Sequence, residues 1–143
     1  MSTIEDRLYQ LISEQKLISQ AIEAVYGEIL LLQRAIDERK AAISFLTAYE
    51  KIRNDSVDTL IPIGGGLYVK TNLPIKREFY IHIGANIYLI KSVEEAREHL
   101  EKMVSDLERA LNERNKALTD LKNKYEEISA EISELYIRIQ GKR

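Results

Sequence analysis

Apolar residues in this chain obey two different periods. From Ile4 to about Arg53 they recur at alternating steps of four and three. Ile4, Leu8, Leu11, Ile18, Ile22, Val25, Ile29, Leu32, Ile36, Ile43 and Leu46 share one heptad seam, interrupted at Gln15 and Arg39. Between Val57 and Lys91 the pattern changes to period-two alternation, and this stretch holds both prolines and four of the six glycines. A second seam then runs through Val93, Leu100, Val104, Leu107, Leu111, Leu118, Leu121, Tyr125, Ile128, Ile132, Leu135 and Ile139, with Arg97 and Arg114 interrupting. The pattern predicts an α+β fold in one domain over 1–143: a coiled-coil helix over 4–53, two β-hairpins over 57–91 and a second coiled-coil helix over 92–140.

The middle stretch repeats itself. Pro62-Ile63-Gly64-Gly65-Gly66-Leu67-Tyr68-Val69-Lys70 aligns twenty residues on with His82-Ile83-Gly84-Ala85-Asn86-Ile87-Tyr88-Leu89-Ile90. In each copy an apolar run enters a Gly-led turn and leaves as an alternating run, which is the signature of a hairpin whose connector needs positive φ. Asn72-Leu73-Pro74 separates the two. Alternation assigns Leu67, Val69, Phe79, Ile81, Ile83, Ile87 and Leu89 to an apolar face, and Tyr68, Lys70, Tyr80, His82 and Tyr88 to a mixed one. A sheet of about four strands would bury one face and leave two edges and a tyrosine-bearing face unsatisfied. The stretch therefore reads as an assembly platform, the alternative being a closed cap on a single helical pair.

The two helical arms are of nearly equal length, and hairpins return the chain close to where it left, so an antiparallel coiled coil is expected. At ~1.5 Å per residue the first arm would extend ~70–75 Å. Layers whose residue numbers sum to roughly 143 put Ile4 by Ile139, Leu8 by Leu135, Val25 by Leu118 and Ile36 by Leu107. Arg97 then falls near Glu50 and Arg114 near Glu28, either as register-fixing polar positions or as long side chains snorkelling from a thin core. Ser92-Val93-Glu94-Glu95 is a capping box that opens the second helix. Gly27 lies on the outward side of the first seam, a soft spot and not a break. Leu30 and Leu31 also lie off the seam and imply a contact outside the pair.

Composition narrows the functional classes. Charged residues make up 31% of the chain, with only two phenylalanines and no tryptophan, which suits an elongated molecule better than a globule. A net charge of −2 and no basic stripe argue against nucleic acid and anionic membranes. The absence of cysteine excludes a disulfide framework and thiolate chemistry and is compatible with a reducing cytosol. Charges precede any signal-like apolar core at the N-terminus, and no apolar run approaches membrane-spanning length, so a soluble, cytoplasmic protein is expected. His82 and His99 have no metal-ligand spacing, and Gly64-Gly65-Gly66 is followed by neither Gly-Lys-Ser/Thr nor a helix. No catalytic residue, metal site or cofactor is expected, and an enzyme is the weakest class.

A different signal lies at the chain ends. Tyr9, Ile12, Leu17, Tyr136 and Ile137 are apolar yet off the seam, in the first or last turns of the arms. They predict exposed apolar surface there, used either to grip apolar segments of other proteins or to widen the seam and pack end to end.

Helix, two tandem hairpins and helix together resemble the α-type subunit of prefoldin, in its archaeal-like form. The resemblance spans almost the whole chain. It is most specific in Leu60-Ile61-Pro62-Ile63-Gly64-Gly65-Gly66, in Ile81-His82-Ile83-Gly84-Ala85-Asn86 and in Ser92-Val93-Glu94-Glu95-Ala96. Two hairpins, where β-type subunits carry one, point to the α type. The resemblance implies an ATP-independent holdase: a hexamer of two α-type and four β-type subunits with a β-barrel body and coiled-coil tentacles that hold unfolded clients and deliver them to a group II chaperonin. It assigns client binding to Ile4, Leu8, Tyr9, Leu11, Ile12, Leu135, Tyr136, Ile137 and Ile139. Assembly falls to Leu67, Tyr68, Val69, Phe79, Tyr80, Ile81, Ile83, Ile87, Tyr88 and Leu89. The sequence finishes soon after Ile139 with Gly141-Lys142-Arg143, so a client surface on a longer tail is expected to be missing. A coiled-coil scaffold or tether, and a filament-forming relative of prefoldin, are the other readings the same architecture allows.

Overall fold

The computed structural model describes residues 3–141; Met1 and Ser2 of the N-terminal reading, and Lys142 and Arg143 of the tail, lie outside the described residues. The element order is α1 (Ile4–Glu50), β1 (Ser56–Gly64), β2 (Leu67–Pro74), β3 (Glu78–Gly84), β4 (Ile87–Ser92) and α2 (Val93–Gly141). The α+β expectation of two long helices with two hairpins between them holds. Two compact units are present, one built from the chain up to Ile36 and from Asp106 on, the other from Asp37–Ser105.

In the first unit the helices pair antiparallel through their seams. Leu11, Ile18, Ile128 and Leu135 form its buried core, and Ile4, Leu8, Ile22, Leu121, Tyr125 and Ile132 pack around them. Polar cross-links agree with the expected register. Gln15, a break in the seam, donates from Nε2 to Ser129 Oγ at 2.8 Å, and Arg114 lies 3.4 Å from Glu28. The α1 N-terminus is held by a reciprocal pair that sequence reading missed. Asp6 N–H donates to Thr3 Oγ1, and Thr3 N–H to Asp6 Oδ2, both at 3.1 Å. This satisfies orphan amides in the first turn, as Ser/Thr caps do. Helix α1 runs through Gly27 unbroken.

The second unit holds both hairpins, and here one expectation fails. The strands form two separate two-stranded antiparallel sheets, β1-β2 and β3-β4, and not a sheet of about four. The reason lies in residues 75–77. Pro74 ends β2 and has no N–H to continue a ladder. Beyond it Ile75 N–H donates to Asp55 O at 2.8 Å, and Arg77 donates to Ile52 O at 3.1 Å. Tyr49, buried at the end of α1, accepts from Lys76 N–H at 2.9 Å and donates to Lys76 O at 2.8 Å. These bonds tie the connector to the end of the first helix, so β3 starts without pairing to β2.

Each hairpin turns on two residues of positive φ, Gly65 and Gly66 at 61° and 80°, and Ala85 and Asn86 at 49° and 59°. Paired positive φ is what a two-residue turn matched to strand twist requires. Just before each turn the register slips by one residue. Pro62 faces Tyr68 but Gly64 faces Leu67, and His82 faces Tyr88 but Gly84 faces Ile87. Ile63 and Ile83 are the extra residues, so Ile83 does not continue the Phe79/Ile81 face by simple alternation, as the period-two reading had it.

The capping box is formed as predicted. Glu95 N–H donates to Ser92 Oγ at 3.2 Å and Ser92 N–H to Glu95 Oε1 at 3.4 Å. These bonds to Ser92, with Lys91 adding a weaker attraction, hold the Glu95 carboxyl below its usual range. Nearby, Arg97 and Glu50 pair at 2.6 Å with both side chains half-buried. The hydrogen bond from Arg97 lowers the Glu50 pKa against the opposing effect of desolvation, and raises that of Arg97 in turn.

Candidate client and assembly surfaces

At the chain-end side of the first unit, the nine residues named for client contact separate into two groups. Leu11 and Leu135 are buried, Leu11 to 1% exposure, and Ile4, Leu8 and Ile139 are half-buried. They hold the helix pair together. Tyr9, Ile12, Tyr136 and Ile137 are exposed, Tyr9 to 72% and Ile137 to 69%, and Leu17 joins them. The division follows from helix geometry, since seam residues meet the partner helix while the residue next to each points about 100° away. Arg7 and Glu131 bridge the two helices here at 3.1 Å. A shallow hollow of about 350 Å³ beside Ile12 is lined by Gln15, Lys16, Ser19, Gln20, Glu23 and Tyr125. The surface is thus apolar, helical and rimmed by charge.

The hairpins are the second surface. Direct cross-strand partners share a face. On β1-β2, Ile61 opposes Val69 and Val57 opposes Leu73 on one side, while Leu60 opposes Lys70 and Pro62 opposes Tyr68 on the other. Leu60, Ile61, Ile63, Leu67, Tyr68, Val69 and Leu73 are all exposed, so this hairpin presents apolar surface on both faces. Leu60, Ile61, Ile63 and Leu73 were not assigned to assembly from the sequence. The apolar run Leu60-Ile61-Pro62-Ile63 was the available signal, because a strand buried on both faces reads as a continuous apolar run and not as alternation.

The β3-β4 hairpin differs. Phe79 and Ile81 pack against the chain's own core of Leu46, Val93 and Ala96, with Leu100 alongside. The Phe79 ring meets Tyr49 edge-on at 5.1 Å. These two, named for assembly, offer partners less surface than the rest. Tyr80, Ile83, Ile87, Tyr88, Leu89 and the unnamed Ile90 are exposed. His82 and Tyr88, cross-strand partners, have ring centroids 5.0 Å apart. An apolar hollow of about 400 Å³ lies along the Phe79–His82 stretch, floored by Phe45, Leu46, Ala96, Leu100 and Met103 and rimmed by His82, His99, Glu38 and Arg39. Four consecutive strand residues line it, so it runs along the edge of β3 that β4 does not occupy.

Among the described residues no group of three or more His, Cys, Asp or Glu is placed to hold a metal ion. No described helix is long and apolar enough to cross a membrane.

A family model described as Prefoldin subunit matches residues 18–138. Among curated relatives, a protein named Prefoldin subunit alpha from Thermofilum pendens is 32% identical over 117 residues, covering 79% of this chain and 90% of its own length. One of the same name from Methanobrevibacter smithii is 27% identical over 137 residues, covering 96% and 92%. A solved structure described as filamentous PFD from Methanocaldococcus jannaschii superimposes with a TM-score of 0.66 at 20% identity, covering 86% of this chain and 98% of its own. That likeness establishes a shared fold.

Proposed function

The chain belongs to the prefoldin family of chaperone subunits, as an α-type subunit, and from that premise we propose that it is an ATP-independent holdase. Members of this family assemble with other prefoldin subunits. For this chain the partners are four β-type subunits joined to two copies of it through the hairpins, in the cytoplasm. Its clients are unfolded proteins, passed on to a group II chaperonin.

One observation carries the client-binding part. Tyr9, Ile12, Tyr136 and Ile137 stand exposed where an ordinary helix surface would be charged, while Leu11 and Leu135 close the seam beneath them. An unfolded chain offers apolar side chains without a fixed sequence, and exposed side chains on a firm helical support meet it without needing shape complementarity. Each contact is weak. Several arms acting on one client raise the avidity, and each contact can still release during transfer.

The test is Ile12→Asp with Tyr136→Asp in the chain assembled with a β-type partner. The expected result is an oligomer of unchanged mass that no longer suppresses aggregation of a denatured client. Full suppression by the intact double variant would refute client binding at these residues. A second reading, polymerisation, draws support from the filamentous assembly of the Methanocaldococcus jannaschii neighbour and from the doubly apolar first hairpin. Solution mass of this chain alone and with its partner separates the two, since a filament grows with concentration and a closed hexamer does not.

A further inference from the structure

The outward face of α1 opposite the seam holds an apolar patch that neither the helix pair nor the client surface uses. At about 100° per residue, Glu23, Gly27, Leu30, Leu31 and Arg34 fall within a ~100° arc on the side away from Ile18, Val25, Ile29 and Ile36. Leu30 is 54% and Leu31 66% exposed. Between them and Glu23, Gly27 leaves a gap in the helix surface, and a Cβ built there meets nothing within 4 Å. Glu23 and Arg34, both exposed, make no ion pair among the described residues.

We infer that this face docks against the same face of a second copy of the chain, laid antiparallel across it. The arrangement is self-complementary. In a two-fold pairing that sets Leu30 of one copy into the gap at Gly27 of the other, Glu23 of each copy falls opposite Arg34 of its mate, because both pairs of numbers sum to 57. Four charges are thus matched and two leucines seated by one register. A parallel arrangement would set Glu23 against Glu23 and Arg34 against Arg34. With two leucines as its apolar centre, the patch falls well short of the ~800 Å² per partner of a stable complex. The contact is therefore a weak lateral one that forms where arms are concentrated or already held in assemblies. It goes beyond the holdase reading and does not depend on it.

Because the chain has no cysteine, the contact can be trapped directly. Full-length Gly27→Cys and Leu30→Cys chains are mixed with oxidised glutathione, and the rate of the mixed disulfide is compared with that of Ser13→Cys mixed with Leu30→Cys. A disulfide forms only where Cβ atoms come within about 4.5 Å, so the first pair is expected to link at least tenfold faster. Glu23→Arg in both chains should slow it severalfold, and Glu23→Arg with Arg34→Glu should restore it, while circular dichroism reports unchanged helix content. Equal rates for the two pairs, no effect of Glu23→Arg, or no restoration by the double swap would each overturn the inference.

Discussion

Removing one oxygen from Tyr49 tests how the hairpins are fixed to the helices. The Tyr49 hydroxyl both accepts from Lys76 N–H and donates to Lys76 O, at 2.9 and 2.8 Å, while its ring packs between Phe45 and Phe79 with centroids at 5.5 and 5.1 Å. Tyr49→Phe keeps the ring and deletes both bonds. Each is worth about 1 kcal/mol net, and solvent reaching the exposed Lys76 offsets part of the loss, so the expected cost is about 1–2 kcal/mol. Tyr49→Ala, which also empties an aromatic site, should cost about 3–5 kcal/mol. Denaturant unfolding at fixed protein concentration measures both, since assembly otherwise shifts the midpoint. Hydrogen exchange at the Lys76 amide supplies a local reading, with protection falling in the Phe variant. A Phe variant within about 0.5 kcal/mol of the parent, with Lys76 equally protected, would show that the connector is held by other means.

Leu11→Ala should destabilise the first unit by about 3 kcal/mol, whereas Ile12→Ala beside it should stay within about 0.5 kcal/mol; thermal unfolding by circular dichroism separates them. Arg97→Gln should raise the Glu50 carboxyl pKa toward its ordinary range, because the hydrogen bond from Arg97 is the largest cause of the lowering, and NMR titration reads the change. In the parent the folded-state pKa of Glu50 lies below its unfolded value. The stabilisation by the Arg97 pair is therefore fully present above the unfolded value and fades as pH falls through the folded one, and Arg97→Gln should flatten that acid-side loss. Ala85→Gly should raise stability by up to about 1 kcal/mol, because a left-handed alanine costs ~1–2 kcal/mol and the added chain entropy of glycine cancels only part of that gain. A lower midpoint for Ala85→Gly would mean that the turn is held by its methyl group and not strained by it.

Where one period dominates, the sequence was easy to read. The seams, the capping box at Ser92, the Gly-led turns and the polar cross-links of Arg97 with Glu50 and Arg114 with Glu28 all follow from spacing, because each depends on residues related by a helix or strand repeat. The failures share a different cause. Tyr49 sits one residue short of the seam position held by Glu50, and its partner is a backbone 27 residues away that no local period reveals. The separation of the hairpins into two sheets depends on that same contact and on Ile75 reaching Asp55. Ile83 was misplaced because a one-residue slip reverses the facing of everything beyond it. The nine candidate client residues were chosen for being apolar near the ends, and apolarity alone does not separate Leu11, which supports the surface, from Ile12, which is part of it.

The two helices carry their exposed apolar residues unequally, and this bears on how the chain can act. Tyr9, Ile12, Leu17, Tyr26, Leu30, Leu31 and Phe45 are exposed on α1, but on α2 the exposed large apolar residues are Tyr136 and Ile137, both in its last turns. A pair that only had to hold itself together would place apolar residues on the seam of both helices alike and charge elsewhere. Helix α2 is built that way along most of its length, with Leu107, Leu111, Leu118 and Leu121 on the seam and charged or amide side chains at exposed positions such as Glu108, Arg109, Asn112, Glu113 and Asn115. Helix α1 serves the seam and also offers side chains outward at several heights. Exposed apolar side chains contribute little to stability while making association easier, so their concentration on one helix is better explained by contacts beyond the pair. Replacing Leu30 and Leu31 together by Gln should therefore leave the unfolding midpoint within error. A marked fall in that midpoint would place these side chains in the chain's own packing and remove the reason to seek a partner for them.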